Sequence, residues 1–532
     1  MGVDTIVIAD SGGDSFSSTN PLRLKFEERP ASIQVILNYL EHQGRLVLPI
    51  KGDGIMSWSS ALKLNGIYLL SYLTKHKFDV ALINSYYEER NRFRSLLKHN
   101  PRSVIISTTF IHKKQALHKL VDDIRSLAPD IFIIVGGPFI YLSYLILQRS
   151  HEKHYETEAG KDDFLFLNNN NEPSVDLYIV SLRGEQILCE ALRRIKNKRP
   201  IDDLPNSAQL VGKTYSFNRR IDDVSNAKEI FIEWKSLPDT VFESGVVSMQ
   251  ASNGCPYNCA FCNFTKDRRL MFIKPIGQLV AELKDVSNRG IRYVWFTDDN
   301  FRLGKGDLRS VCQRFVDEGI QIYWMSFIRA STLEDIDGEL LRRSGCIEVQ
   351  LGLESADSQI LANMNKKANA KLYAEVVRKL LSVGINCSCY FLFGFPGETD
   401  ETVFRTREFI KSIEYPELEG IFSWSMFPFI LSPMSPIYEI EMRENYGLTG
   451  YMQNWAHKTM DSRQAVEHIK DAFFELENSA PIYRGDNLDI LFGLKPYQRK
   501  KFLANRHRFS KLAAKSHLEK LDIINSFTEA LA

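Results

Sequence analysis

The 532-residue chain predicts an α/β protein with two successive parallel-sheet regions, and three observations carry that expectation. Short apolar runs of the buried-strand type alternate with helical stretches from residue 5 to 138. The same alternation returns over residues 246–440, and a cysteine-rich loop opens that second run. The expected organisation is a doubly wound parallel sheet over 1–195, a linker over 196–245, a partial (β/α)6 barrel over 246–440 and a mainly helical region over 441–532.

In the first region the strand candidates are residues 5–10 (TIVIAD), 78–84 (FDVALIN), 103–109 (SVIISTT) and 131–138 (IFIIVGGP). Helical patterns occupy 61–75 and 113–127 between them. Sheets of this kind bind ligands at the carboxyl ends of their strands. Residues 11–60 read as irregular, 151–176 as a solvated Asn-rich insertion, and 198–245, with Pro200, Pro205 and Pro238, as a connection.

The second region offers strands at 246–250, 293–297, 321–326, 347–352, 389–394 and 420–427. In such barrels functional groups gather at the carboxyl ends of the strands. Those ends carry Asp298, Asp299 and Asn300, then Arg329 and Ser331, then Glu354 and Ser355, then Leu392 and Gly394.

Composition excludes several classes. Hydrophobic content of 44% and charged content of 25% are ordinary for a globular chain, and a formal charge of +1 gives no footprint for nucleic acid. No apolar run approaches the roughly 20 residues a membrane span requires. Met1-Gly2-Val3-Asp4 lacks the basic start of a secretion signal, and the eight cysteines form no small-domain disulfide framework. A reducing cytoplasm is the expected compartment.

The loop after the first barrel strand holds Cys255, Cys259 and Cys262 in the spacing C-x3-C-x2-C. Close thiolates are soft ligands for zinc or an iron–sulfur cluster. Structural zinc asks for a fourth protein ligand, and no second C-x2-C follows. Three protein ligands and one open position suit a [4Fe–4S] cluster.

With Phe261 in the aromatic place before its last cysteine, the motif resembles the radical S-adenosylmethionine (SAM) superfamily. The resemblance implies that SAM chelates the open iron, that Asp298, Asp299 and Asn300 lie at its amino group and that Arg329 and Ser331 lie near its carboxylate. It places Glu354 and Ser355 near ribose and methionine, and Gly394, in the G-x-P-G-E-T loop, with Leu392 on the strand before it, near adenine. It also implies an electron donor such as flavodoxin or ferredoxin. The first region resembles the cobalamin-binding domain that precedes many such barrels, on Ser107-Thr108-Thr109, Val135-Gly136-Gly137-Pro138 and Arg183-Gly184-Glu185. The D-x-H-x-x-G motif that supplies a histidine ligand is absent, so two readings stand: cobalamin bound without that ligand, or a sheet that has lost the cofactor.

The whole chain is most similar to the branch holding proteusin-type peptide epimerases and cobalamin-type P-methyltransferases, on residues 422–428 (FSWSMFP) and 455–460 (WAHKTM). The expectation drawn from it is an epimerase that converts L- to D-residues in a ribosomally made precursor peptide, with a thiol returning hydrogen. The alternative is a cobalamin-dependent methyltransferase acting on carbon or phosphorus. Cys389 and then Cys387 are the candidate donors, although alternation along a regular strand puts both opposite Leu392, and only a bulge would reverse this. Trp455 and His457 read as a helix start packed over the barrel.

Overall fold

The computed structural model describes residues 3–12, 24–26, 29–30, 33–45, 55–57, 61–152, 160–168, 172–221, 231–263, 271–301, 308–482, 489–491, 495–515 and 520–531. The chain divides into two units, Met1–Ser17 with Leu62–Val241, and Ser18–Ala61 with Phe242–Ala532.

In the first unit the apolar runs become strands Thr5–Ile8, Val80–Ile83, Ser103–Ser107, Phe132–Gly136 and Leu177–Ile179. Thr5–Ile8 and Ser103–Ser107 are buried at every position, as expected of strands covered on both faces. The parallel order is Val80–Ile83, Thr5–Ile8, Ser103–Ser107, Phe132–Gly136, Leu177–Ile179. This is a doubly wound sheet whose direction of growth reverses between Thr5–Ile8 and Ser103–Ser107, so its ligand crevice is expected at the ends of those strands. Helix Lys114–Leu127 buries Leu117, Leu120, Val121 and Ile124, the spacing that gives a helix one apolar face. Pro138 opens helix Pro138–Arg149, where a missing N–H is harmless.

Four expectations about connecting regions change. Residues 196–241 extend the first unit: Ser207–Val211 and Thr214–Phe217 add two antiparallel strands to its sheet. Apolar alternation there is too short to be read against three prolines. The insertion over 151–176 is not simply solvated. Phe164 stacks on Phe139 at 5.8 Å, and Phe166 meets Tyr215 edge-on at 4.8 Å; residues 153–159 and 169–171 lie outside the described residues. Within 11–60, expected to be irregular, helix Ile33–His42 forms and belongs to the second unit.

That unit contains a second seven-stranded sheet, parallel throughout: Val246–Met249, Tyr293–Phe296, Tyr323–Phe327, Cys346–Glu354, Asn386–Phe393, Phe422–Pro428 and Ala480–Pro481. The first six are the expected barrel strands; the two-residue seventh was not foreseen. Thr399 caps helix Asp400–Ser412, its hydroxyl accepting from Thr402 N at 3.3 Å.

The fourth change concerns the C-terminal region. It holds a three-stranded antiparallel sheet, Thr449–Tyr451, Asn454–His457 and Met460–Asp461, before helices Ser462–Glu475, Pro496–Ala514 and Lys520–Leu531. Trp455 and His457 therefore lie on a strand, not at a helix start. Ile36, Leu37 and Leu40 share an apolar cluster with Phe502, Phe509 and Phe527. Among the described residues no helix is long and apolar enough to cross a membrane.

Candidate functional site

The cysteine loop leaves the first barrel strand through Ser252–Asn253, which pairs with Phe272–Ile273. Gly254 turns the chain at φ +82°, and a Cβ there would stand 2.6 Å from Met271 Cγ. Cys259 is buried, while Cys255 and Cys262 are half-buried. Ala260 N donates to Met364 O at 2.9 Å and Asn365 Nδ2 to Asn258 O at 2.8 Å, seating the loop on the segment after helix Ser358–Asn363.

The second strand end braces the same loop. Asp298 is 1% exposed and accepts from Ala251 N at 3.1 Å, from Ser252 Oγ at 2.5 Å and from Ser252 N. Burial pushes its carboxyl up to about 7 against the pull of those donors. Asp299 accepts from Gly254 N at 2.8 Å, and Asn300 Oδ1 from Arg329 N at 3.2 Å. All three residues, expected at the SAM amino group, thus hold backbone in place.

Arg329 and Glu354 gather at the loop. The Arg329 guanidinium lies 3.7 Å from the Tyr257 ring centroid, its Nη1 is 3.6 Å from Cys259 Sγ, and its Nη2 donates to Lys366 O. Lys366 Nζ reaches Glu354 Oε1 at 2.8 Å, the two side chains being 9% and 13% exposed, and lies 6.0 Å from the Phe261 ring. Glu354 adopts φ +64° where the register with the fifth strand shifts. The Tyr373 hydroxyl is buried with no hydrogen-bond partner among the described residues. Burial, with Glu354 and Cys259 nearby, raises its phenol far above the usual range, although Arg329 pulls it down.

The other expected contacts diverge. Ser355 Oγ is 3.1 Å from Thr406 Oγ1 and accepts from Asp357 N at 3.1 Å, so it is buried against helix Asp400–Ser412. Ser331 is exposed on the short helix Ala330–Leu333. Leu392 is half-buried, on the strand face of Tyr390 and Ser388. Gly394 N donates to the Glu398 carboxylate, and Phe395 meets Phe261 edge-on at 6.4 Å.

Below these groups the lumen face is largely aromatic, with the buried Glu348 carboxylate accepting from Ser388 Oγ at 2.7 Å. Tyr390 lies 5.5 Å from Phe327 and 6.3 Å from Phe427. Gln350 is 1% exposed, and its Oε1 has no partner among the described residues.

Residues 249–410 match the family model described as the Radical SAM superfamily. This barrel is a radical SAM domain. An uncharacterised methyltransferase of Pyrococcus horikoshii is 23% identical over 76% of this chain and 83% of its own length. The bacteriochlorophyllide d C-12(1)-methyltransferase of Chlorobaculum tepidum is 29% identical over 38% of this chain and 43% of its own. Among solved structures, the radical SAM methyltransferase TsrM of Kitasatospora setae, with cobalamin and a [4Fe–4S] cluster bound, aligns at TM-score 0.54 and 16% identity, over 83% of this chain and 78% of its own. The cobalamin-dependent radical SAM enzyme OxsB, with aqua-cobalamin and SAM bound, aligns at TM-score 0.59 and 16% identity, over 98% of this chain and 74% of its own.

The thiol-donor expectation does not survive the radical SAM barrel's geometry. Cys387 and Cys389 are 0% exposed. The fifth strand pairs without a shift against the sixth from Cys387 to Phe393, so no bulge reverses its alternation. Both cysteines face away from the lumen, behind Ser388, Tyr390 and Leu392. Epimerase activity is not supported by the similar proteins either; three of those above are named as methyltransferases.

The loop's three cysteines are soft donors suited to an iron–sulfur cluster, and Arg329 beside Cys259 supplies positive charge for thiolates.

In the first unit the ends of Thr5–Ile8 and Ser103–Ser107 are bridged by Asn65, whose Nδ2 lies 2.8 Å from both Ala9 O and Ser107 Oγ. Ser107 Oγ is 3.1 Å from Thr109 Oγ1, and Thr108 Oγ1 donates to Gly136 O at 2.9 Å. Sequence reasoning missed Asn65, Met364, Lys366 and Tyr373. Each lies in a helix or connection, and no motif marks it.

Proposed function

We propose that the chain is a cobalamin-dependent radical SAM methyltransferase acting on carbon or phosphorus of a peptide or natural-product substrate. The observation that carries this reading is the joint presence, in one chain, of the cysteine loop on a radical SAM barrel and of a doubly wound sheet with a hydroxyl-rich switch point. The likeness to OxsB spans 98% of this chain, and TsrM adds a named methyl transfer.

Cys255, Cys259 and Cys262 would hold the cluster, with Arg329, Lys366 and Glu354 around SAM. Residues 107–110 and 136–138 would line the corrin. Bound there, the cluster with SAM supplies radical chemistry and cobalamin supplies a transferable methyl group. The chain's own work is positional. Asp298 and Asp299 fix the cysteine loop, Lys366 pairs with the buried Glu354 side chain, and the aromatic lumen excludes water.

The test is anaerobic reconstitution with iron, sulfide and hydroxocobalamin, followed by gel filtration and incubation with SAM carrying a labelled methyl group. A corrinoid is expected to co-elute and to acquire the label. Absence of any co-eluting corrinoid overturns the reading.

A further inference from the structure

We propose that His457 is a positioning residue of the SAM site, acting with Trp455 and Thr459 through the Gly394 carbonyl. The inference rests on the reading that the barrel binds SAM, and it gives the 455–460 motif the mechanism its sequence lacks.

His457 is 8% exposed on the middle strand of the C-terminal antiparallel sheet. Its Nε2 is 3.3 Å from Gly394 O, and a carbonyl can only accept. Its Nδ1 is 3.4 Å from Thr459 N and 3.1 Å from Thr459 Oγ1, and a backbone N–H can only donate. Together these contacts select one neutral tautomer, with hydrogen on Nε2 and a lone pair on Nδ1. Burial lowers the imidazole's affinity for a second proton, in keeping with that state.

Trp455 completes the clamp. Its ring lies parallel to His457 at 5.4 Å and 3°, and its Nε1 donates to Phe429 O at 2.7 Å. Gly394 has φ +84°, and a Cβ there would meet Trp455 Cη2 at 2.4 Å, so the tryptophan closes directly on bare backbone. The Gly394 residue is therefore held twice, its N–H by the buried Glu398 carboxylate and its C=O by His457. The next residue, Phe395, packs on Phe261 of the cysteine loop. Any SAM atom recognised by the backbone of this loop meets groups whose direction His457 sets.

The experiment uses the full chain, reconstituted anaerobically, with labelled SAM in equilibrium dialysis and iron content as the loading control. His457→Ala is expected to bind SAM about tenfold more weakly at unchanged iron content, with KM for SAM rising in parallel while kcat for SAM cleavage stays within about twofold. His457→Gln, whose amide can still donate to Gly394 O, should recover to within about threefold of the parent protein. Thr459→Val, which removes an exposed hydroxyl and leaves the ring, should weaken SAM by about threefold and keeps the test open if His457→Ala fails to fold. The proposal is overturned if His457→Ala binds SAM as tightly as the parent at equal iron content. It is also overturned if His457→Gln is as weak as His457→Ala, or if Thr459→Val is unchanged. Failure of the iron-loaded parent protein to bind SAM would instead overturn the underlying reading.

Discussion

The two seven-stranded sheets present opposite chemistry at their carboxyl ends. The first ends mainly in hydroxyls and glycines, Ser107, Thr108, Thr109, Gly136 and Gly137, joined by one bridging amide from Asn65, with the buried Asp10 carboxylate accepting from Gly12 N at 3.1 Å. The barrel ends in buried ionisable groups, Asp298, Arg329, Glu354 and Glu398, each already bonded to a brace from elsewhere in its unit. A hydroxyl-rich end can meet a large ligand through backbone and hydroxyls. A buried charge needs its partner in place first. Damage to the first sheet should therefore cost a hydrogen bond, and damage to the barrel end should strand a charge.

Replacing Cys255, Cys259 and Cys262 with alanine gives the sharpest separation. Absorption at roughly 400 nm, where thiolate–iron clusters absorb, and 5′-deoxyadenosine formation should both vanish, while corrinoid retention by the first unit persists. Loss of corrinoid retention along with SAM cleavage would break the contrast. Next in size is Lys366→Met, which leaves the Glu354 carboxylate buried without its cation and should destabilise by about 3 kcal/mol in urea unfolding. Adding Glu354→Gln should recover much of that loss. Asn65→Ala in the first sheet should cost only about 1–2 kcal/mol and weaken corrinoid binding without changing SAM affinity.

A smaller effect concerns pH. Burial pushes the Glu398 carboxyl from 4.5 up to about 8, and Asp298 from 3.8 up to about 7. The folded protein thus holds protons that the unfolded chain has released, so stability falls as pH rises through that window. Thermal midpoints measured between about pH 5 and 9 should decline, and Glu398→Gln should flatten the decline. The smallest effect is expected from Cys387→Ala and Cys389→Ala, each costing about 1 kcal/mol of packing and leaving turnover unchanged. Loss of turnover without loss of stability would reopen a thiol role.

The difference between the ends also explains what the sequence could tell. Ile6, Val104 and Val294 lie in continuous apolar runs, so their strands are legible from local pattern alone. The cysteine loop is legible because its ligands are neighbours in the chain. Lys366 is not, because its value depends on Glu354 twelve positions earlier adopting a left-handed turn. Phe164 and Phe166 were hidden by the polar residues around them, although both are buried. Cys387 and Cys389 show that residue type alone misleads: strand alternation decided against them, and the unshifted pairing with the sixth strand removed the only exception.

The interleaving of the two units has a consequence for synthesis. Residues 18–61 leave the ribosome early, yet Ile36, Leu37 and Leu40 find their apolar cover on Phe502, Phe509 and Phe527. Nearly the whole polypeptide must be translated before that helix can bury its face, so the nascent chain carries a sticky amphipathic segment throughout elongation. Chaperone dependence should therefore follow residues 33–42, and a gene truncated before the last two helices should yield aggregates even with the barrel encoded in full.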